Sequence, residues 1–147
     1  MYSAFSNEEK PYTPLNVPFS QFALADFDVR HYWMINPKTN FVTRFNFGIG
    51  PSYGNSEVLP YVKQFYLGGP STLRAFRFRG IGPGTYQNPN FETNVNAIDQ
   101  AGDLKLLANL EYRFTLYRFL KAALFADIGN VWLLRKDEDR LGGQFEF

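Results

Sequence analysis

Cysteine is absent from the chain, which excludes disulfides and thiolate metal sites. Histidine occurs once, as His31, and no serine or cysteine suggests itself as a partner. His31 therefore reads as structural, and no nucleophile–base constellation is visible. Charge of one sign is also lacking: the net charge is +1, so nothing in the electrostatics points to nucleic acid. No run of about 18 apolar residues exists, so no helix could cross a membrane. No basic stretch followed by an apolar core opens at Met1, which reads as no signal peptide. The mean hydropathy of -0.29 looks soluble. That average is blind to transmembrane β-strands, whose alternating residues cancel to a neutral score.

Aromatics are plentiful, at 18% with 16 Phe and 9 Tyr. So is alternation with period two. Residues 1–18 read as irregular, broken by Pro11, Pro14 and Pro18. Four strands follow, at about 19–34, 41–52, 103–116 and 120–132, with no confident helix. In the first, Phe27, Val29, His31 and Trp33 oppose Asp26, Asp28 and Arg30. In the second, Phe41, Thr43, Phe45, Phe47 and Ile49 oppose Val42, Arg44, Asn46 and Gly48. The third is the clearest. Leu104, Leu106, Ala108, Leu110, Tyr112, Phe114 and Leu116 oppose Asp103, Lys105, Asn109, Glu111, Arg113 and Thr115, and only Leu107 breaks the polar parity. In the fourth, Ala122, Leu124, Ala126 and Ile128 oppose Lys121, Asp127 and Gly129.

These strands are longer than the usual globular strand of about 5 to 6 residues and suit a tilted membrane crossing. Turns at 36–40 and 117–119 are short, whereas the connection over 53–102 is long. Outer-membrane barrels have that asymmetry, with short periplasmic turns and long external loops. Tyr32, Trp33, Tyr117, Phe119 and Trp132 lie near strand ends, where an interfacial aromatic girdle belongs. The fold expected is all-β: an antiparallel transmembrane β-barrel segment with one inward-folding loop, too few strands to close. Leu104, Leu106, Leu110, Leu124 and Ile128 are expected to face lipid, and Lys105, Glu111, Arg113 and Asp127 the lumen.

The long connection contains Phe65 to Gly84, too rich in Gly and Pro for a helix. Its aromatics need something to pack on, which argues against disorder. Arg74, Arg77 and Arg79 are the cations available to fix it. Glu111 and Asp127 fall at similar depth on neighbouring strands and share the polar parity. A guanidinium fork can address two carboxylates at once. Arg74 is the preferred partner, because Ala75 and Gly69 leave backbone room and Phe76 can pack on the lumen wall. Arg77 and Arg79 compete with it. Gly80-Ile81-Gly82-Pro83-Gly84 lacks the strand–helix context of a nucleotide loop, and Asp137 to Asp139 lacks EF-hand spacing. No cofactor or metal site is expected.

Three stretches together resemble the BamA/TamA family of outer-membrane protein assembly factors. Phe65-Tyr66-Leu67-Gly68-Gly69, then Ser71-Thr72-Leu73-Arg74-Ala75-Phe76 and Gly82-Pro83, is similar to the family's loop signature. Asn109-Leu110-Glu111-Tyr112-Arg113-Phe114 resembles the strand after that loop, and Phe125-Ala126-Asp127-Ile128-Gly129 the family's F-x-D-x-G strand. Ala75 departs from the pattern, standing where the family usually has Gly. The resemblance implies a bacterial outer-membrane protein that is not an enzyme. It implies insertion or translocation of unfolded outer-membrane or secreted clients, with membrane lipid and assembly lipoproteins as partners. It points to the same loop arginine and the same two acidic positions. The chain is then expected to be a C-terminal piece, without the family's POTRA domains and closing strands. Two other readings stay open: a secretion-type transporter of the same superfamily, and a soluble β-sandwich whose aromatic loop grips a ligand.

Overall fold

The structure, a computed structural model, describes residues 19–86 and 100–145. Its frame is one antiparallel sheet of four strands in the order β2-β3-β5-β6: β2 (Ala25–Asn36), β3 (Thr39–Ile49), β5 (Leu104–Tyr117) and β6 (Leu120–Trp132). Two short strands, β1 (Gln21–Phe22) and β4 (Ser52–Tyr53), pair separately. The first expected strand therefore begins at Ala25 rather than at 19, and the second ends at Ile49 before Gly50-Pro51. A proline lacks the N–H that a continuing ladder needs. The connection also holds one 3-10 turn, Tyr61–Lys63. The prolines before residue 19 and the asparagines at 88, 90, 94 and 96 lie outside the described residues.

Pairing runs along the sheet with register shifts only beside the turns, at Met34–Asn36 and Thr115–Tyr117, and between them each row keeps one face. Ala108 opposes Phe45 on one side and Ile128 on the other, while Phe45 opposes Val29. One position over, Asn109 opposes Arg44 and Asp127, and Arg44 opposes Arg30. The period-two pattern thus becomes two chemically distinct faces. At Pro37–Lys38 the Asn36 Oδ1 accepts the Lys38 N–H at 2.9 Å, an Asx turn that closes the β2–β3 hairpin in two residues.

Burial is inverted relative to a soluble protein. The apolar face is bare: Val29 is 62%, Leu124 67% and Ile128 75% exposed. The polar face carries the core, because the segment from Phe65 to Ile81 lies over it. Phe65, Leu67 and Leu73 from that segment pack on Leu107 of β5 and Val131 of β6, with Ile81 alongside. Leu107, the one apolar residue on the polar parity of β5, is 1% exposed. A sandwich would cover the apolar face; here it is left to the surroundings, as in a membrane barrel wall. The sheet is unclosed: β2 and β6 are its edges among the described residues. Leu104 departs from the lipid-facing expectation. It is buried at the loop end of β5, opposite Trp132, whose ring meets Phe145 edge-on at 5.2 Å.

Candidate functional site

The site is where the loop meets the polar face. A tight turn starts it. The Gly68 N–H donates to Thr72 Oγ1, Thr72 Oγ1 donates back to Gly68 O at 2.7 Å, and Gly69 N–H donates to Phe76 O at 2.9 Å. Gly68 has φ 109, and a Cβ there would come 1.8 Å from Arg77 O, so only glycine closes this turn. The turn presents Leu73 downward into the core and Arg74 toward the carboxylates of β5 and β6.

Arg74 lies between Asp127 and Glu111. Its Nε and Nη2 donate to Asp127 Oδ2 and Oδ1 at 2.8 and 2.7 Å, a bidentate fork. Its Nη1 donates to Glu111 Oε2 at 2.8 Å. Its backbone N–H also donates to Asp127 Oδ2, at 3.1 Å. The guanidinium plane sits 3.9 Å from the centroid of Phe125, which adds a cation–π contact. Asp127 is 4% exposed at its side chain, whereas Glu111 is 19% exposed and shares its other oxygen with Arg113. Charge-assisted, bidentate bonds of this kind are short and geometrically selective. Register explains the convergence. Asp127 opposes Asn109 and Glu111 opposes Phe125, so the two acids are diagonal neighbours on one face.

Two further residues hold the loop, and sequence reasoning did not single them out. Asn109 Nδ2 donates to Thr72 O and to Asp127 Oδ1, each at 2.8 Å, tying loop to strand and orienting the acid. Arg44 Nη1 donates to Ser71 O at 2.7 Å while its Nη2 pairs with Asp28 at 2.6 Å. The signal for Arg44 was its place on a polar parity, and Asn109 stood on the parity of Glu111 within the stretch that resembles the family's strand.

The remaining sequence candidates separate. Arg79 is not at the carboxylates: its guanidinium stacks near Tyr61, Tyr66 and Phe78, and Arg77 is exposed. Phe76 does not pack on the wall; it is 54% exposed. The backbone reverses at Ala75, which has φ 68, and Phe125 supplies the ring beneath Arg74 instead. That left-handed φ is the reason a glycine suits the position, and Ala75 occupies it with strain. Gly129 serves close approach: a Cβ there would sit 2.7 Å from Leu106 O and 3.1 Å from Leu67 Cδ1. Pro83 is fully buried, and Gly82–Pro83 is held beside β6 by Gly84 N–H to Val131 O at 2.7 Å and Asn130 Nδ2 to Gly84 O at 2.8 Å. Among the described residues no group of acidic or histidine side chains could hold a metal ion.

A loop pinned by an arginine to the polar face of an antiparallel sheet, with the apolar face bare, can be compared with known families. The model of the Omp85 superfamily domain matches residues 12–144. The chain belongs to the Omp85 superfamily. It is 29% identical over 90 residues to the outer membrane protein assembly factor BamA of Neisseria meningitidis serogroup B. That match covers 58% of this chain and 11% of that protein, so this Omp85 chain spans a small part of its relative's length. Membership of this superfamily, of the BamA/TamA type, places the chain in the bacterial outer membrane, as part of a β-barrel wall.

Proposed function

We propose that this chain forms part of an outer-membrane barrel that inserts, assembles or translocates other proteins, without enzymatic chemistry. The loop from Phe65 to Gly84 acts there as an internal strut, and Arg74 anchors it to Glu111 and Asp127. The Arg74 fork is the observation that supports this reading most. It joins a loop to two strands through charged groups that sit in a wall otherwise open to lipid on its far side. A strut of this kind fixes the separation and stagger of β5 and β6 and keeps the polar face shaped for a passing or folding polypeptide. Incoming chain would be recognised through backbone edges and an outer-membrane setting rather than by a reactive group. The relative's name, an outer membrane protein assembly factor, favours assembly over secretion. Clients are unfolded outer-membrane proteins, and membrane lipid and assembly lipoproteins are the further partners.

The test is complementation in cells with the complete protein that carries this chain. Arg74→Ala lowers the level of correctly folded outer-membrane proteins while the variant itself still reaches the membrane. Arg74→Lys restores part of that level. Full client assembly by Arg74→Ala, at wild-type abundance of the variant, would refute the strut.

A further inference from the structure

The end of the sheet away from the loop has a composition of its own. From His31 to Thr43 and from Tyr112 to Ala126 there are four cations, Lys38, Arg113, Arg118 and Lys121, and no Asp or Glu. Arg113 is engaged by Glu111. Lys38 and Arg118 are in the two hairpin turns, Lys121 is one residue into β6, and all three are exposed. Among the described residues none of the three is paired with a carboxylate. The opposite end, by contrast, mixes Glu57, Asp103, Asp137, Glu138 and Asp139 with its own cations.

Apolar bulk sits on the same rim. Trp33, Tyr117 and Phe119 are exposed, Phe119 by 86%. Aromatic rings of this kind settle at the boundary between hydrocarbon and headgroups. The β5–β6 hairpin also projects past its neighbour. Thr115 N–H donates to Lys38 O at 3.0 Å, so Tyr117, Arg118 and Phe119 lie beyond the β2–β3 turn. A tip bearing a cation between two large rings matches a layer that is apolar on one side and negatively charged on the other.

We infer that this turn end is a docking surface for anionic phospholipid headgroups, with Lys38 and Arg118 of the two turns meeting the phosphates while Trp33, Tyr117 and Phe119 sit just beneath. The occupant is lipid rather than an acidic protein segment, because the cations share their rim with a continuous bare apolar face. An acidic peptide has no use for that face; a lipid leaflet covers both. The inference rests on the outer-membrane placement and is independent of the strut. Each basic residue near an anionic surface strengthens attraction to that surface about fivefold, and the effect fades as salt shortens the Debye length.

Trp33 is a built-in reporter, since the chain has only one other tryptophan, Trp132. The complete protein that carries this chain, with Trp132 and any other tryptophan except Trp33 replaced by phenylalanine, is refolded into phosphatidylcholine vesicles. These contain a minor fraction of lipid with a nitroxide near the glycerol, on either phosphatidylglycerol or phosphatidylcholine. The expected result is several-fold stronger quenching of Trp33 by the phosphatidylglycerol probe. Lys38→Gln and Arg118→Gln together remove that difference, as does high salt. Lys38→Arg and Arg118→Lys keep it, which separates charge from misfolding. Equal quenching by both probes in the wild-type background overturns the inference alone. Absence of quenching by either probe overturns the membrane placement and the inference with it.

Discussion

Replacing Arg74 by alanine removes two bonds to Asp127, one to Glu111 and the contact with Phe125, but leaves the backbone N–H to Asp127. The two acids do not suffer equally. Glu111 keeps Arg113. Asp127, at 4% exposure, keeps only neutral donors, the Asn109 amide and the Arg74 N–H. Breaking a buried pair costs about 3–5 kcal/mol, and a partly wet site lowers that. Arg74 is 25% exposed, so the lower end applies, about 3 kcal/mol with the cation–π loss included. That energy shows as local opening of the loop, which hydrogen exchange reads. The amides of Gly69 and Gly84 donate to Phe76 O and Val131 O in the closed loop. Their exchange should accelerate on the order of a hundredfold in Arg74→Ala. Arg74→Lys should recover about half the energy, since an ammonium is a point charge and cannot fork across two acids. Arg77→Ala, at an exposed position, should change exchange little. Unchanged protection in Arg74→Ala, or full protection in Arg74→Lys, would refute the fork as the source of loop order.

Three further outcomes follow from other parts of the molecule. Leu124 and Ala123 are neighbours on opposite faces of β6. Leu124→Arg should reduce membrane assembly by about 2–4 kcal/mol and Ala123→Arg by much less, measured as folded yield in lipid; equal effects would contradict the face assignment. Ala75→Gly should strengthen the loop by up to about 1 kcal/mol, because the left-handed cost to alanine exceeds the extra chain entropy of glycine, and slower exchange at Gly69 would register it. Burial pushes the Asp103 carboxyl above its ordinary value of 3.8, partly offset by the Leu134 N–H. A raised folded pKa means that Asp103 contributes stability below about pH 4 and loses it as pH rises through the folded value. Asp103→Asn should therefore flatten the fall in stability between acid and neutral pH; an unaltered pH profile in urea melts would count against that assignment.

Alternation is a local property, and the sequence determined what depends on it. The run from Leu104 to Leu116 sets which side chains share a face, because successive residues in a strand point opposite ways. Asn36-Pro37-Lys38 determined a tight turn, since proline ends the ladder and asparagine caps the reversal. Gly68-Gly69 determined that the connection could not continue as strand or helix. What lay over each face was beyond reach of the pattern. An apolar parity serves a sandwich interior and a lipid boundary equally well, and only the tertiary structure left Leu124 and Ile128 bare while covering Leu107. Leu107 was visible as an exception, yet its role as floor for Leu67 and Leu73 needed the loop's path. The same path separated three arginines that are alike in sequence. It laid Arg74 against Asp127 and Glu111, sent Arg79 to the rings of Tyr61 and Tyr66, and left Arg77 and Phe76 outside. A glycine-rich backbone has many routes of similar local energy. The choice among them was made by contacts more than thirty residues apart in the chain, such as Thr72 with Asn109 and Arg74 with Asp127.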